Sequence, residues 1–364
     1  MARWRSRAAI GAAVALGAGG AALFAARQGV PTAESFLADT GDLLPARPPK
    51  PNAYVDGAGR SLVAAASSRD AARGIRDAVD LLGGLGPIDV ADRSVVIKLN
   101  ANSGAPAPAS TSPQALAAVI QLLQDHGARE VVVGEMSGPP WHQTVREMTR
   151  NGLLDVIENN GARFVDFNDD RWVTVPLPDR SRHFETLSIP RTLYEAERLV
   201  AIPALKTHRL AGFSLSIKLW FGAVHPRQRI QAHLSRDVEG VTAELASPFW
   251  PDLVILDGGQ AMVDGGPVAG AVEPANLYLA SGDRVALDAC GVAVLASFGQ
   301  SARLLERPVW EQRQLRAASA LGLGVGSPAR VALLADPAVP GLARFLTAMD
   351  ERAGVRAGAA GVGR

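Results

Sequence analysis

The sequence predicts an α/β fold: a mostly parallel sheet covered by helices on both faces, with a small antiparallel addition. Three observations carry this. Short runs rich in Val and Ile alternate with helix-like stretches through most of the 364 residues. Those runs are almost continuously apolar, the pattern of strands buried on both faces rather than one. Polar and charged residues gather where the runs end, which in open α/β sheets is the ligand-binding edge.

Taken in order, SVVIKLN (residues 94–100) is strand-like and leads into a long Gly/Pro/Ala/Ser loop. A helix follows from Ser112, where Ser112 caps, Pro113 suits the first helical position and Gly127 closes the helix. REVVVGEM is the next strand, HQTVREMTRNGLLDVIENNG one helix, and ARFVDF another strand. WVTVPLP and HFETLSI supply the antiparallel addition. ERLVAIPAL, PDLVILDGG and NLYLASG are further strands, and GDRVALDACGVAVLASFG is an apolar helix with Asp283 as its cap. DGGQAMVDGGPVAG reads as loop throughout, with Gly265 and Gly266 permitting a tight turn. It fits neither the Walker pattern nor G-x-G-x-x-G, so a nucleotide site is not indicated.

Four stretches divide the chain: 1–29 a signal or N-terminal membrane anchor, 30–60 a linker, 61–345 the α/β domain, and 346–364 a flexible tail. Arg3, Arg5 and Arg7 precede an uncharged run from Ala8 to Ala26. As a helix that run spans about 28 Å, enough to cross a bilayer. Its basic flank stays inside, which puts the body outside the cytoplasm, either anchored to the cell membrane or exported after signal cleavage. A net charge of +1 and a pI near 8.0 give no reason to expect nucleic acid as a partner. The single cysteine, Cys290, excludes an intrachain disulfide and cannot by itself hold an iron–sulfur cluster.

Of the 37 Lys and Arg residues only four are Lys: Lys50, Lys98, Lys206 and Lys218. Lys50 lies in a Pro-rich loop and reads as a solvated charge. The other three sit in apolar segments, where a lysine can lose its proton on desolvation and an arginine cannot. PALKTHRLAGFSLSIKLWFGAVHPRQRIQAH gathers Lys206, His208, Lys218, His225, Arg227, Arg229 and His233 in a stretch otherwise apolar enough to be core. Buried cations of this kind are paired, shifted in pKa or turned to a ligand, and a phosphate or carboxylate satisfies several at once. The same segment is also compatible with an ordinary charged surface loop.

Lys98, Lys206, His208 and Lys218 are therefore the candidate catalytic residues, with His208 as acid–base group. Candidate ligand-binding residues are Asn100, Thr111, Ser112, Ser216, Arg229, His233, Asp257 and Asp288. Thr111 and Ser112 open the helix whose N-terminal N–H groups suit an anion, although capping alone explains Ser112. Asp257 ends a strand. Asp288 is a carboxylate in an apolar run and needs a partner, for which a lysine is the natural choice. Glu135 and Asp166 also end strands, where a polar residue is ordinary. His225, beside Pro226, reads as structural, and a zinc site from His208, His225 and His233 matches no local zinc spacing, so no metal site is assigned.

VVIKLN, TSPQALAAVIQLLQDHGAREVVVGE, IPALKTHRLAGFSLSIKLWFGAV, LDGGQAMVDGGPVAG and SGDRVALDA together resemble the domain-of-unknown-function 362 family, from about Ser94 to Ala289. The resemblance implies an α/β fold and a site around Lys206, His208, Ser214 or Ser216, and Lys218. Members are often joined to a ferredoxin-type iron–sulfur module, whose cysteines this chain lacks. The family usually reads Lys-Pro-Asn where Lys98-Leu99-Asn100 stands, and Asn where Leu219 stands. The resulting expectation is a Lys/His-rich anion-binding cleft acting on a phosphate- or carboxylate-bearing small molecule. The alternatives are a non-catalytic anion- or metal-binding protein, or a redox accessory protein without its own iron–sulfur cluster. No cofactor and no protein partner are named by the sequence.

Overall fold

Two strips of hydrophobic side chains separate on opposite faces of the strands in the computed structural model, which describes residues 38–138 and 142–335. In β3 (Ser94–Leu99), Val95, Ile97 and Leu99 enter one apolar cluster and Val96 the other. This is the two-residue alternation of a strand buried on both sides. The first cluster is closed by α1 (Ala71–Leu82) and α2 (Pro113–Asp125) through residues such as Ile75, Val79, Leu116 and Val119. The second is closed by α7 (Val238–Ala246), α8 (Arg284–Ser297) and the 3-10 turn Lys218–Ala223 through Val241, Leu287 and Trp220.

The remaining strands of the main sheet are β2 (Ser61–Ser67), β4 (Glu130–Glu135), β5 (Arg163–Asp166), β8 (Arg198–Ile202), β11 (Leu253–Gly265), β13 (Leu277–Ser281) and β14 (Val331–Ala335). Their order is β14-β2-β13-β11-β8-β3-β4-β5. β13 runs antiparallel to both neighbours and every other adjacent pair is parallel. A separate three-stranded sheet joins β6 (Trp172–Pro176) antiparallel to β7 (Thr186–Pro190) and parallel to β1 (Asp42–Leu43). The fold class is thus the predicted one, antiparallel addition included.

Four local expectations change. The single helix expected over residues 142–161 is two, α3 (Thr144–Arg150) and α4 (Leu153–Asn159), because Gly152 adopts a left-handed φ of +74° between them. ERLVAIPAL is two strands: Pro203 offers no N–H to continue the ladder, and β8 gives way to β9 (Ala204–His208). The presumed loop 257–270 instead extends β11 far beyond the sheet edge, where it pairs with β9 and turns back at Gly265 and Gly266 into β12 (Gly270–Pro274). Lys50, finally, is not a free solvated charge: its Nζ lies 2.8 Å from Asp252 Oδ2, and that carboxylate also accepts the Leu199 N–H.

Among the described residues no helix is long and apolar enough to cross a membrane. The segment read as signal or anchor, and the tail from 346, lie outside the described residues.

Candidate functional site

The extension of β9 and β11 past the sheet edge builds one wall of a cavity of ≈ 80 Å³. That is well below the roughly 300–1,000 Å³ of pockets for drug-sized ligands. The opposite wall is the end of β3 and β4. The 3-10 turn Lys218–Ala223, α6 (Pro226–His233) and the β11–β12 turn complete the lining. Alternation along β9 sends Lys206 and His208 to the same side, and a one-turn spacing on α6 does the same for Arg229 and His233. Both pairs line the cavity, as do Lys98, Asn100, Glu135 and Lys218.

The three lysines differ in what they hold. Lys98 Nζ donates to Glu135 Oε1 at 2.8 Å and to the Leu99 carbonyl at 2.6 Å, with 1% of the side chain exposed. Burial lowers its pKa and the Glu135 charge opposes that shift. Lys206 Nζ donates to Asn100 Oδ1 at 2.5 Å and to the Ala109 carbonyl, both neutral acceptors. Lys218 Nζ stands 3.8 Å from the centre of the Phe221 ring, a cation–π contact, and makes no hydrogen bond or ion pair among the described residues. Burial pushes Lys206 and Lys218 down to about 7. Lys98 adds to the shift of Lys206 against the Glu135 charge, and Arg229 and Lys206 add to that of Lys218.

Arg229 is a clamp as much as a charge. Nη1 donates to the Met136 and Ser137 carbonyls at 2.9 Å and Nη2 to Asn102 Oδ1. It binds α6 to the end of β4, and burial brings it down to about 10. Lys98, Lys206, Lys218 and Arg229 therefore face a cavity with one lining carboxylate, Glu135. When all four are protonated the site carries an excess of positive charge that an anion would relieve.

The two imidazoles present opposite faces. His208 Nδ1 accepts the backbone N–H groups of Leu210 at 3.1 Å and Ala211 at 3.2 Å, so the neutral ring carries its proton on Nε2. Burial first, then Lys218 and Lys206, push its pKa down to about 2. His233 Nδ1 lies 2.8 Å from the Arg229 carbonyl, an acceptor only, so Nδ1 carries the proton and Nε2 keeps its lone pair. Burial and then Lys218 and Arg229 lower His233 to about 4. His208, the expected acid–base group, is thus held as a hydrogen-bond donor with no free lone pair.

Five expected ligand-binding residues do not line the cavity, and their side chains are engaged inside the protein. Thr111 Oγ1 donates to the Ile202 carbonyl and accepts the Asn100 N–H, fixing the loop after β3. Ser112 caps α2 by accepting the Ala115 N–H. The anion at that helix N-terminus is the protein's own: Asp257 Oδ2 accepts the Ser112 N–H at 2.7 Å. Asp288 takes no lysine as partner. It accepts the N–H and hydroxyl of Ser216 at 2.8 and 2.5 Å and the N–H of Ile217 at 2.9 Å, anchoring the turn that carries Lys218. Burial raises it to about 7 against those bonds. Neither Asp257 nor Asp288 orients a lysine; Glu135 does. Of the two serines that the resemblance implied, Ser214 lines the cavity and Ser216 supports it from behind.

Glu135 had one sequence signal, a carboxylate closing an apolar strand, which many strands share. Gly222 had none. A Cβ there would stand 2.5 Å from Glu135 Oε1 and 3.1 Å from Lys98 Nζ, so the turn passes close over the ion pair and any larger residue forces the pair or the turn to shift. Asn102 and Phe221 were also not singled out. His225 caps α6 by accepting the Arg227 N–H and meets Trp172 edge-on, away from His208 and His233. Among the described residues no group of three or more His, Cys, Asp or Glu is placed to hold a metal ion.

The sequence profile of the family described as "Domain of unknown function (DUF362)" matches residues 95–293. A thylakoid-associated protein of Synechocystis sp. is 28% identical over 222 residues, covering 59% of this chain and 66% of that protein. The chain thus aligns with slightly less than two thirds of this relative's length. The lactate racemase apoprotein of Thermoanaerobacterium thermosaccharolyticum is a loose structural neighbour, at 12% identity and a TM-score of 0.31 over 82% of this chain and 87% of that one. The match to the profile spans more than half of the sequence, and the chain belongs to the DUF362 family.

Proposed function

We propose that the Lys/His cavity binds a small phosphate- or carboxylate-bearing molecule and promotes a proton transfer on it. The observation that supports this reading is the contrast between Lys98, matched by Glu135, and Lys206 and Lys218, which are buried without a carboxylate of their own. A bound anion supplies the missing counter-charge. In this reading Lys206 and Lys218 hold the anionic group and His208 Nε2–H donates to it. His233 Nε2 receives the proton, because the anion offsets Lys218 and Arg229, the charges that depress its basicity. Lysine ammonium groups near neutral pKa also suit stabilisation of charge that develops during the reaction.

The test is calorimetric titration of inorganic phosphate, acetate and a phosphorylated carboxylic acid into the full chain at pH 6 and pH 8. Binding is expected to be tighter at pH 6, and to be lost in Lys206→Met and Lys218→Met. Absence of binding by all three ligands at millimolar concentration overturns the proposal. Lys206→Arg and Lys218→Arg separate catalysis from capture. If a turnover assay finds activity and both variants keep binding and turnover, lysine deprotonation plays no part. If they keep binding alone, the lysines act chemically.

We further propose that residues 1–29 hold the protein to a membrane or direct its export, with the cavity-bearing body outside the cytoplasm. The uncharged run Ala8–Ala26 behind three arginines supports this, and the thylakoid association of the Synechocystis relative is consistent with attachment to a membrane. Fractionation of cells producing the full chain, with mass measurement of the recovered protein, distinguishes anchored from cleaved forms. Recovery of uncleaved protein in the cytoplasm excludes both.

A further inference from the structure

Phe221 touches two groups of the cavity that come from different elements. In the 3-10 turn Lys218–Ala223, side chains three residues apart eclipse one another, which brings Phe221 against Lys218. Lys218 Nζ stands over the ring, 3.8 Å from its centre, on the electron-rich face. The same ring meets His233, the last residue of α6, with centroids 4.8 Å apart and planes at 68°. All three side chains line the cavity. The contact matters most to Lys218. That side chain is buried, no hydrogen bond or ion pair reaches its ammonium among the described residues, and Arg229 and Lys206 both repel it. A desolvated cation gains more from an aromatic face than an exposed one does. Phe221 also packs in the apolar core, where an aliphatic side chain such as the neighbouring Leu219 serves as well. A leucine has the bulk but lacks the negative face.

From these contacts, and resting on the proposed function, we infer that Phe221 is a positioning residue of the site: its ring holds the Lys218 ammonium by one contact and sets the His233 ring by the other. The group that binds the anion and the group that receives its proton are thereby kept in fixed relation, although one comes from a turn and the other from a helix. The ring also holds Lys218 charged in the empty cavity, ready for the anion, where burial and the neighbouring cations work against it.

The experiment compares Phe221→Leu and Phe221→Tyr with the parent, each as the full chain. The four lysines give four Cε signals, and Lys218→Met identifies that of Lys218. Followed by carbon-13 spectroscopy without ligand, Lys218 is expected to titrate near pH 7 in the parent and roughly one pH unit lower in Phe221→Leu. Phe221→Tyr keeps the ring and is expected to restore the parent's midpoint. Calorimetric titration of inorganic phosphate then separates positioning from packing. A packing defect weakens binding equally at every pH, whereas loss of the ring's hold on the ammonium weakens it roughly twofold at pH 6, fivefold at pH 7 and ninefold at pH 8. The phosphate-induced rise of the His233 pKa is expected to shrink in Phe221→Leu and return in Phe221→Tyr. A Lys218 midpoint that stays or rises in Phe221→Leu overturns the inference and leaves the proposed function standing. So does a loss of affinity that is the same at every pH, a His233 response equal to the parent's, or a tyrosine variant that behaves as the leucine one. A check that needs no change at Phe221 is the ring current, which should move the Lys218 Hε resonances upfield in the parent. Unshifted resonances overturn the inference as well. Absence of phosphate binding by the parent overturns the proposed function and the inference with it.

Discussion

Lys98 and Glu135 form an ion pair sealed from solvent, 2.8 Å apart with 1% and 2% of their side chains exposed. The remaining bonds to the Glu135 carboxylate are the Met136 N–H to Oε1 and the Ala101 N–H to Oε2. One carboxylate thus neutralises one lysine and ties the end of β3 to the end of β4. The positive charge of the cavity is left to Lys206, Lys218 and Arg229. Glu135→Gln strands Lys98 without a counter-charge and is expected to destabilise the fold by roughly 3–5 kcal/mol, the usual result of removing one partner of a buried pair. Urea denaturation measures this, and a loss below about 1 kcal/mol contradicts the assigned pairing.

Gly222 tests the same pair from outside. Its φ of −83° suits any residue, so Gly222→Ala reports crowding against Glu135 Oε1 rather than backbone strain. The alanine is expected to cost roughly 1–3 kcal/mol and to weaken phosphate binding by displacing Lys98 and the turn that bears Lys218. Unchanged stability and affinity would mean that the turn moves aside freely.

Stability and anion binding should depend on pH with opposite signs. Folded Lys206 and Lys218 lie near 7 and their ordinary value is 10.5, so between these pH values the unfolded chain binds more protons than the folded one. Unfolding free energy of the empty protein therefore rises with pH across that window, by on the order of 1 kcal/mol per unit for each lysine. Phosphate affinity falls over the same range as the ammonium groups lose their protons. Lys218→Met should reduce the stability slope by about half, stabilise the empty protein at pH 7 and lower, and abolish tight anion binding. Chemical denaturation at pH 6, 7, 8 and 9 checks the sign.

The tautomers are directly measurable. Long-range proton–nitrogen correlation spectra should show the proton of His208 on Nε2 throughout pH 5–8, because Nδ1 accepts two backbone N–H groups. His233 should show the proton on Nδ1, and phosphate should raise its pKa from about 4. A protonated Nδ1 on His208 would remove its role as a fixed donor.

Asp288 positions Lys218 without touching it, through Ser216 and Ile217. Asp288→Asn turns at least one amide N–H toward a backbone donor, and should cost roughly 1–3 kcal/mol. Phosphate affinity should fall with it, whereas the Lys98–Glu135 pair at the other wall is left intact. A variant that loses stability but binds phosphate as the parent does would show Asp288 to be structural alone.

Sequence patterns located β3 to β8, the first part of β11 and β13, but not β1, β2, β12 or β14; they found the caps at Ser112 and Asp283, and the cationic segment holding Lys206, His208, Lys218, Arg229 and His233. They also placed Lys98 and Asn100 at the correct sheet edge. They gave Asp288 to a lysine and left Glu135 as an ordinary strand ending. Charge and burial identify a residue that needs a partner, but not the partner. Lys98 and Glu135 are 37 positions apart and meet because β3 and β4 are adjacent and parallel.

The boundary between the two kinds of information is physical. Alternation, capping, the proline break and the identity of buried charges act over a few residues, so the chain carries them in its own order. The sequence alone therefore determined an α/β protein with three unusual lysines and a basic segment near its sheet edge. Tertiary structure decided which lysine is neutralised, which carboxylates face away, and which nitrogen of each imidazole is bare. Those outcomes depend on distances of about 3 Å between elements far apart in the chain, since hydrogen-bond strength and desolvation change steeply over that range.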